Sequence, residues 1–168
     1  RSNLKNFKIL LLNTNVEHNL ANTAYNERVN ECNEALKIIN KNADANFNFL
    51  CEVPEKILNN NKKFLSETLF DRAYFVIKEN LRTIKSAEIL EKNKLFELGK
   101  LMYESHFGLS KLYKVSCEEL DFLVDLTRGY QKIIGSRMMG GGFGGCTINL
   151  IQDDFINQFV DESCKTYR

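Results

Sequence analysis

Tryptophan is absent from this chain, proline occurs once and histidine twice in 168 residues, and none of the five cysteines forms a Cys-x-x-Cys pair. Without that spacing, neighbouring side chains cannot chelate one ion. Cys32, Cys51, Cys117, Cys146 and Cys164, with only His18 and His106 to assist, therefore lead us to expect no metal site. Both histidines are expected to be hydrogen-bonded structural groups, since neither has a nucleophile or ligand partner at useful spacing. An odd set of unpaired thiols suits a reducing interior, and a cytoplasmic location is expected. An excess of one charge is also missing: 23 Lys and Arg against 22 Asp and Glu leave +1, without the basic footprint of a nucleic-acid binder. The longest strongly apolar run, Ile9 to Leu12, is far short of the roughly 18 residues that span a bilayer, and Arg1 to Phe7 does not lead into a secretory core. No membrane or nucleic-acid partner is expected.

What is present is a folding composition, 43% hydrophobic and 27% charged, in a length typical of one domain. Residues 1–168 are expected to form one. Phe7 to Asn13 is a short apolar run that predicts a strand buried on both faces. From Ala24 to Ile39, Val29, Cys32, Leu36 and Ile39 recur at helical spacing, with Asn22 or Thr23 placed as cap. Pro54 can open a short helix at its first position, and Asn59 to Lys63 reads as a solvated loop. Glu67 to Lys85 carries Phe70, Ala73, Tyr74, Ile77, Leu81 and Ile84 on one face. Leu95, Leu98, Leu101, Met102 and Ser105 repeat the pattern, which Gly108 ends. Ser116-Cys117-Glu118-Glu119 has the form of a capping box before a helix that Gly129 terminates. Strand, glycine block, strand follow over Lys132 to Ile151, and a last helix runs from Asp153 to about Tyr167. The class is α+β: a small antiparallel sheet packed against several amphipathic helices.

Six of the nine glycines fall between Gly135 and Gly145. Gly140, Gly142 and Gly145 satisfy G-x-G-x-x-G, but a strand rather than a helix follows, and the position where a ribose-binding acid belongs is Lys165. A dinucleotide fingerprint is excluded. No Gly-Lys-Ser or Gly-Lys-Thr makes a Walker loop, and no downstream residues supply a protein-kinase catalytic loop. What remains is a glycine-lined bend with Arg137 before it and Phe143 inside it. It can serve as a tight hairpin, or as a place where another segment or a phosphate approaches the backbone closely.

The segment Gly135-Ser136-Arg137-Met138-Met139-Gly140-Gly141-Gly142-Phe143-Gly144-Gly145-Cys146-Thr147 resembles the third conserved motif of the galactokinase branch of the GHMP small-molecule kinases. Leu12 to Ala21 with Tyr25-Asn26-Glu27-Arg28 and Glu31-Cys32 is similar to a second block of that family. Met102 to Ser110 with Val115 to Asp121 is similar to a third. Val29 stands where the family often has an arginine, and Met139 where it usually has threonine.

The resemblance implies a GHMP-kinase C-terminal domain from a two-lobed enzyme that uses ATP and Mg²⁺ to phosphorylate D-galactose at C1. It also implies that the N-terminal lobe, with its phosphate loop, catalytic Arg and Asp and Mg²⁺-binding Glu, precedes this sequence, and that one strand follows it. No catalytic or metal residue is then expected here. Tyr25 matches the galactose-contacting tyrosine, and Gly140, Gly141, Gly142, Phe143, Gly144 and Gly145 match the loop that shapes the nucleotide site. The fragment is expected to be inactive by itself and to self-associate. The alternatives are a non-catalytic sensor of sugar and ATP, or a sibling kinase for N-acetylgalactosamine.

Overall fold

The computed structural model describes residues 4–16 and 21–167. Three strands, β1 (Phe7–Asn13), β2 (Ile133–Met138) and β3 (Cys146–Gln152), form an antiparallel sheet in the order β1-β3-β2. The helices are α1 (Ala21–Ala43), α2 (Glu55–Asn60), α3 (Glu67–Glu91), α4 (Leu95–Phe107), α5 (Glu118–Thr127) and α6 (Ile156–Thr166). The α+β class of the sequence reading is the class observed.

Side chains alternate across a strand, so each face of this sheet has its own core. On one face Phe7, Ile134 and Leu150 meet Leu95 of α4. On the other Ile133 and Ile151 meet Phe155 and Phe159, with Leu10 and Leu12 packed beside them. A third cluster joins α1, α2 and α3 through Ala35, Ile39, Leu58, Leu69, Ala73 and Ile77. Burying one Leu, Ile or Phe stabilises by about 1.5–3 kcal/mol, so these clusters dominate the fold.

The helix α4 crosses β2 at a pair of glycines. A Cβ on Gly99 would lie 1.9 Å from the Ile134 carbonyl oxygen, and one on Gly135 would lie 2.5 Å from the Gly99 Cα. Glycine inside a helix costs about 0.5–1 kcal/mol against alanine. Here the missing side chain lets helix and strand backbones touch. A half-buried ion pair links α1 to α3: buried Arg72 donates through Nε to Glu31 across 2.8 Å, and a second guanidinium nitrogen donates to the Leu112 carbonyl.

Several expectations are corrected. The strand β1 is not buried on both faces; Ile9 and Leu11 are 55% and 49% exposed because β1 is the sheet edge and α4 lies over β2. The described part of α1, Ala21–Ala43, contains Asn22 and Thr23 within the helix, and Val29 is exposed. Pro54 is the N-cap of α2 rather than its first residue, and its carbonyl accepts from Ile57 and Leu58. Asn61 is buried and donates to the Ile57 carbonyl, so Asn59 to Lys63 is no simple solvated loop. Ser66 caps α3 by accepting from the Leu69 amide, and Leu81 and Ile84 face solvent while Arg72 and Phe75 are buried.

Gly108 keeps right-handed helical dihedrals and leads into a π-turn over Gly108–Leu112, a Cβ at that position meeting the Phe75 ring at 2.7 Å. The predicted capping box does not form: Cys117 is the N-cap of α5, and Ser116 lies one residue too early. A short 3-10 turn, Asp153–Phe155, precedes α6. His18 lies outside the described residues.

Candidate functional site

The hairpin between β2 and β3 closes when the Met139 amide donates to the Cys146 carbonyl across 2.9 Å. Gly140, Gly142, Gly144 and Gly145 all have positive φ, and so does Phe143 at 59°. The loop divides into two halves. From Gly142 onward it packs on its own domain. A Cβ on Gly142 would sit 1.9 Å from the Val115 carbonyl oxygen, and one on Gly144 would sit 2.7 Å from that of Val16. The Phe143 ring packs with Phe75, Leu109, Val115, Leu120 and Met138. The Gly145 carbonyl accepts from both the amide and the hydroxyl of buried Thr14, each at 2.8 Å, and the Thr14 carbonyl accepts from the Tyr167 hydroxyl. Gly140 and Gly141 differ: they are exposed, and a Cβ on either would meet nothing within 4 Å. The close approach expected of the glycine surplus is thus made by Val115 and Val16 at Gly142 and Gly144. Only Gly140 and Gly141 leave backbone open.

The base of the hairpin is held from behind. Arg137 lies 3.6 Å from Glu79 of α3, which also accepts from the Ser105 hydroxyl and from Arg82. Glu79, Arg82, Ser105 and Arg137 line a cavity of about 210 Å³. One residue on, the Met138 amide donates to Nδ1 of buried His106 at 3.2 Å, while Nε2 of that ring lies 3.2 Å from Asp121. Desolvation, the largest influence, holds His106 below its ordinary value against the upward pull of Asp121 and Asp125. The ring is the structural, hydrogen-bonded histidine that its spacing implied.

Tyr25 stands in the N-terminal part of α1 with its side chain mostly in solvent. Below it on the helix, Arg28 lies 3.0 Å from Glu31, the carboxylate that also receives Arg72. Cys32 and the Tyr113 hydroxyl are 3.7 Å apart. Burial first, then Cys32, push Tyr113 well above the usual tyrosine range, and burial pushes the Cys32 thiol up. Both stay protonated at neutral pH, so Cys32 is not an activated nucleophile. Two residues beyond Tyr113, the Val115 carbonyl accepts from the Phe143 amide. Sequence reasoning missed Thr14, Val115 and Glu79 as partners of the hairpin. No local pattern signals them, because each is brought in by the tertiary fold.

Residues 86–166 match the family described as GHMP kinases C terminal, and the fold built around the glycine hairpin is that of a GHMP-kinase C-terminal domain. The chain is 41% identical to the galactokinase of Thermotoga maritima over 98% of its own length and 44% of that protein. It is 41% identical to the galactokinase of Clostridium acetobutylicum over 95% of its length and 41% of that one. The crystal structure of Lactococcus lactis galactokinase complexed with galactose superposes with a TM-score of 0.91 at 32% identity, covering 99% of this chain and 42% of that one. This chain is homologous to the C-terminal part of galactokinases and spans less than half the length of these relatives.

Proposed function

We propose that residues 1–168 form one C-terminal domain of a galactokinase, which transfers the γ-phosphate of ATP to D-galactose and yields α-D-galactose 1-phosphate. The observation that carries the reading is the near-complete superposition on the Lactococcus lactis enzyme at 32% identity. The domain's part is positioning, which in phosphoryl transfer supplies much of the rate once reactants are held in line. Tyr25 offers its hydroxyl and ring edge to the sugar. Gly140 and Gly141 offer open backbone to the N-terminal lobe that completes the nucleotide site, while Gly142, Phe143, Gly144 and Gly145 hold that backbone in place. Mg²⁺, bound with ATP, offsets phosphate charge in such a transfer. Among the described residues no three His, Cys, Asp or Glu side chains gather to hold a metal, so we assign its ligands to the N-terminal lobe and no step to it here. Five unpaired thiols support a cytoplasmic location. No described helix is long and apolar enough to cross a membrane.

A coupled ADP-release assay on the full-length protein tests the reading. Turnover with D-galactose is expected. Preference for N-acetylgalactosamine would favour the sibling kinase, and binding of sugar and ATP without turnover would favour the sensor. The 168-residue chain by itself is expected to show no turnover and no ATP affinity tighter than about millimolar. With Ile9 and Leu11 exposed on an edge strand, light scattering of that chain is expected to show self-association.

A further inference from the structure

We infer that His106 is a positioning residue for the glycine hairpin, acting on the loop through the main chain of Met138. The inference rests on the nucleotide-loop reading above and deepens it. Met138 is the last residue of β2, two before Gly140, and it is fully buried. Its amide has His106 Nδ1 as acceptor at 3.2 Å. An occupied Nδ1 must be unprotonated, so the neutral ring carries its proton on Nε2, 3.2 Å from the Asp121 carboxylate. Asp121 is fixed in turn by Ser110 at 2.6 Å and Lys111 at 3.2 Å. A line of contacts therefore runs from the π-turn after α4, through α5, to the backbone that enters the loop.

The neighbouring tie, Glu79 with Ser105 and Arg137, holds the preceding residue of β2 from the opposite helix. This accounts for both segments of the third sequence block, which the ligand contacts leave unexplained: Ser105 and His106 come from one, Asp121 from the other. Gly140 and Gly141 have no packing of their own to set their direction. The strand end sets it from one side, as the anchored Gly142 does from the other.

Two variants of the full-length protein separate positioning from bulk stability. In His106→Asn the amide oxygen takes the place of Nδ1 and can still accept from Met138. In His106→Gln the amide reaches toward Asp121 and leaves the Met138 amide without its acceptor. Peptide-resolved amide exchange is expected to rise about tenfold in the Met138–Gly145 segment for His106→Gln and to stay near wild type there for His106→Asn, the size set by one lost buried acceptor. ATP KM should rise in His106→Gln with kcat less affected. Equal exchange in the two variants, or a rise spread evenly over the domain, would overturn the inference. If neither variant folds, nitrogen-15 spectroscopy of the wild-type imidazole decides, since a proton on Nδ1 is incompatible with it. The exchange result does not depend on catalysis. A protein without sugar-kinase turnover would sink the functional reading and leave the positioning result standing.

Discussion

The amide of Phe143 donates to the carbonyl of Val115 across 2.8 Å, and that bond draws Gly142 so close that a Cβ there would overlap the same oxygen. Gly142→Ala is therefore expected to act on folding before it acts on any ligand. A side chain at positive φ costs about 1–2 kcal/mol and forced overpacking about 1–3 kcal/mol. Gly141→Ala, in open space, should stay within about 0.5 kcal/mol of wild type. Thermal melts of the two variants compare them directly; equal midpoints would mean that the Val115 contact yields easily.

Tyr25 is exposed and supports no core cluster, so Tyr25→Ala should leave the melting temperature unchanged. In the full-length protein it is expected to raise the galactose KM by roughly 5- to 30-fold, the loss of one polar and one small apolar contact worth about 1–2 kcal/mol. The ATP KM should move less. An unaltered galactose KM would remove Tyr25 from the sugar site.

Gly99→Ala places a methyl group inside the Ile134 carbonyl. Because the obstacle is backbone on a paired strand, relaxation must separate α4 from the sheet. A loss of about 1–3 kcal/mol is expected, the opposite of the gain that alanine ordinarily brings to a helix interior. Urea titration measures it, and a stabilised variant would refute the packing described.

Acid should weaken the fold in two stages. Desolvation keeps His106 below 6.5, with Arg128 and Lys111 adding to the push against Asp121 and Asp125. The unfolded chain thus takes up that proton first, so the stability tied to neutral His106 is complete above pH 6.5 and is lost as pH falls through the lower folded value. Asp121 adds a second stage. Burial raises its pKa, but bonds from Ser110, Ser116 and Lys111 outweigh burial and hold it under 3.8, so its contribution is present above that value and lost beneath its folded one. Urea midpoints should decline in wild type as pH falls below about 6.5, and His106→Gln should flatten that decline.

The elements that announce themselves locally were legible: the three strands, the hairpin at the glycine block and the cores of the long helices follow from periodicity and glycine placement. The failures share a cause. Leu81 and Ile84 have the same spacing as Ile77, but the helices that cover Ile77 do not extend over them. Ser116 has the right sequence for a cap, yet it stands one residue before the N-cap Cys117 and its hydroxyl donates to the Cys117 carbonyl. Gly99 looks like a weak point in a helix until β2 is beside it. At the candidate site, the glycine loop and Tyr25 stood out by resemblance to a family, whereas Thr14, Val115 and Glu79 became visible as partners of the hairpin only when distant segments met.

Among the described residues β1 pairs with β3 alone, and the Asn149 side chain that reaches the Leu10 carbonyl comes from 139 residues further along the chain. On a ribosome adding about 5–20 residues per second, this leaves Ile9-Leu10-Leu11-Leu12 without its partner for roughly 7–30 s. A segment of this composition, left in the open, is a template for pairing with another nascent chain. The rate of translation is thus a folding variable for this protein, and whatever occupies β1 during the wait acts as its chaperone. Stalled nascent chains ending before Cys146 should be cut by protease within β1, and chains extended past α6 should not; equal cutting would show that β1 is sheltered by something other than β3.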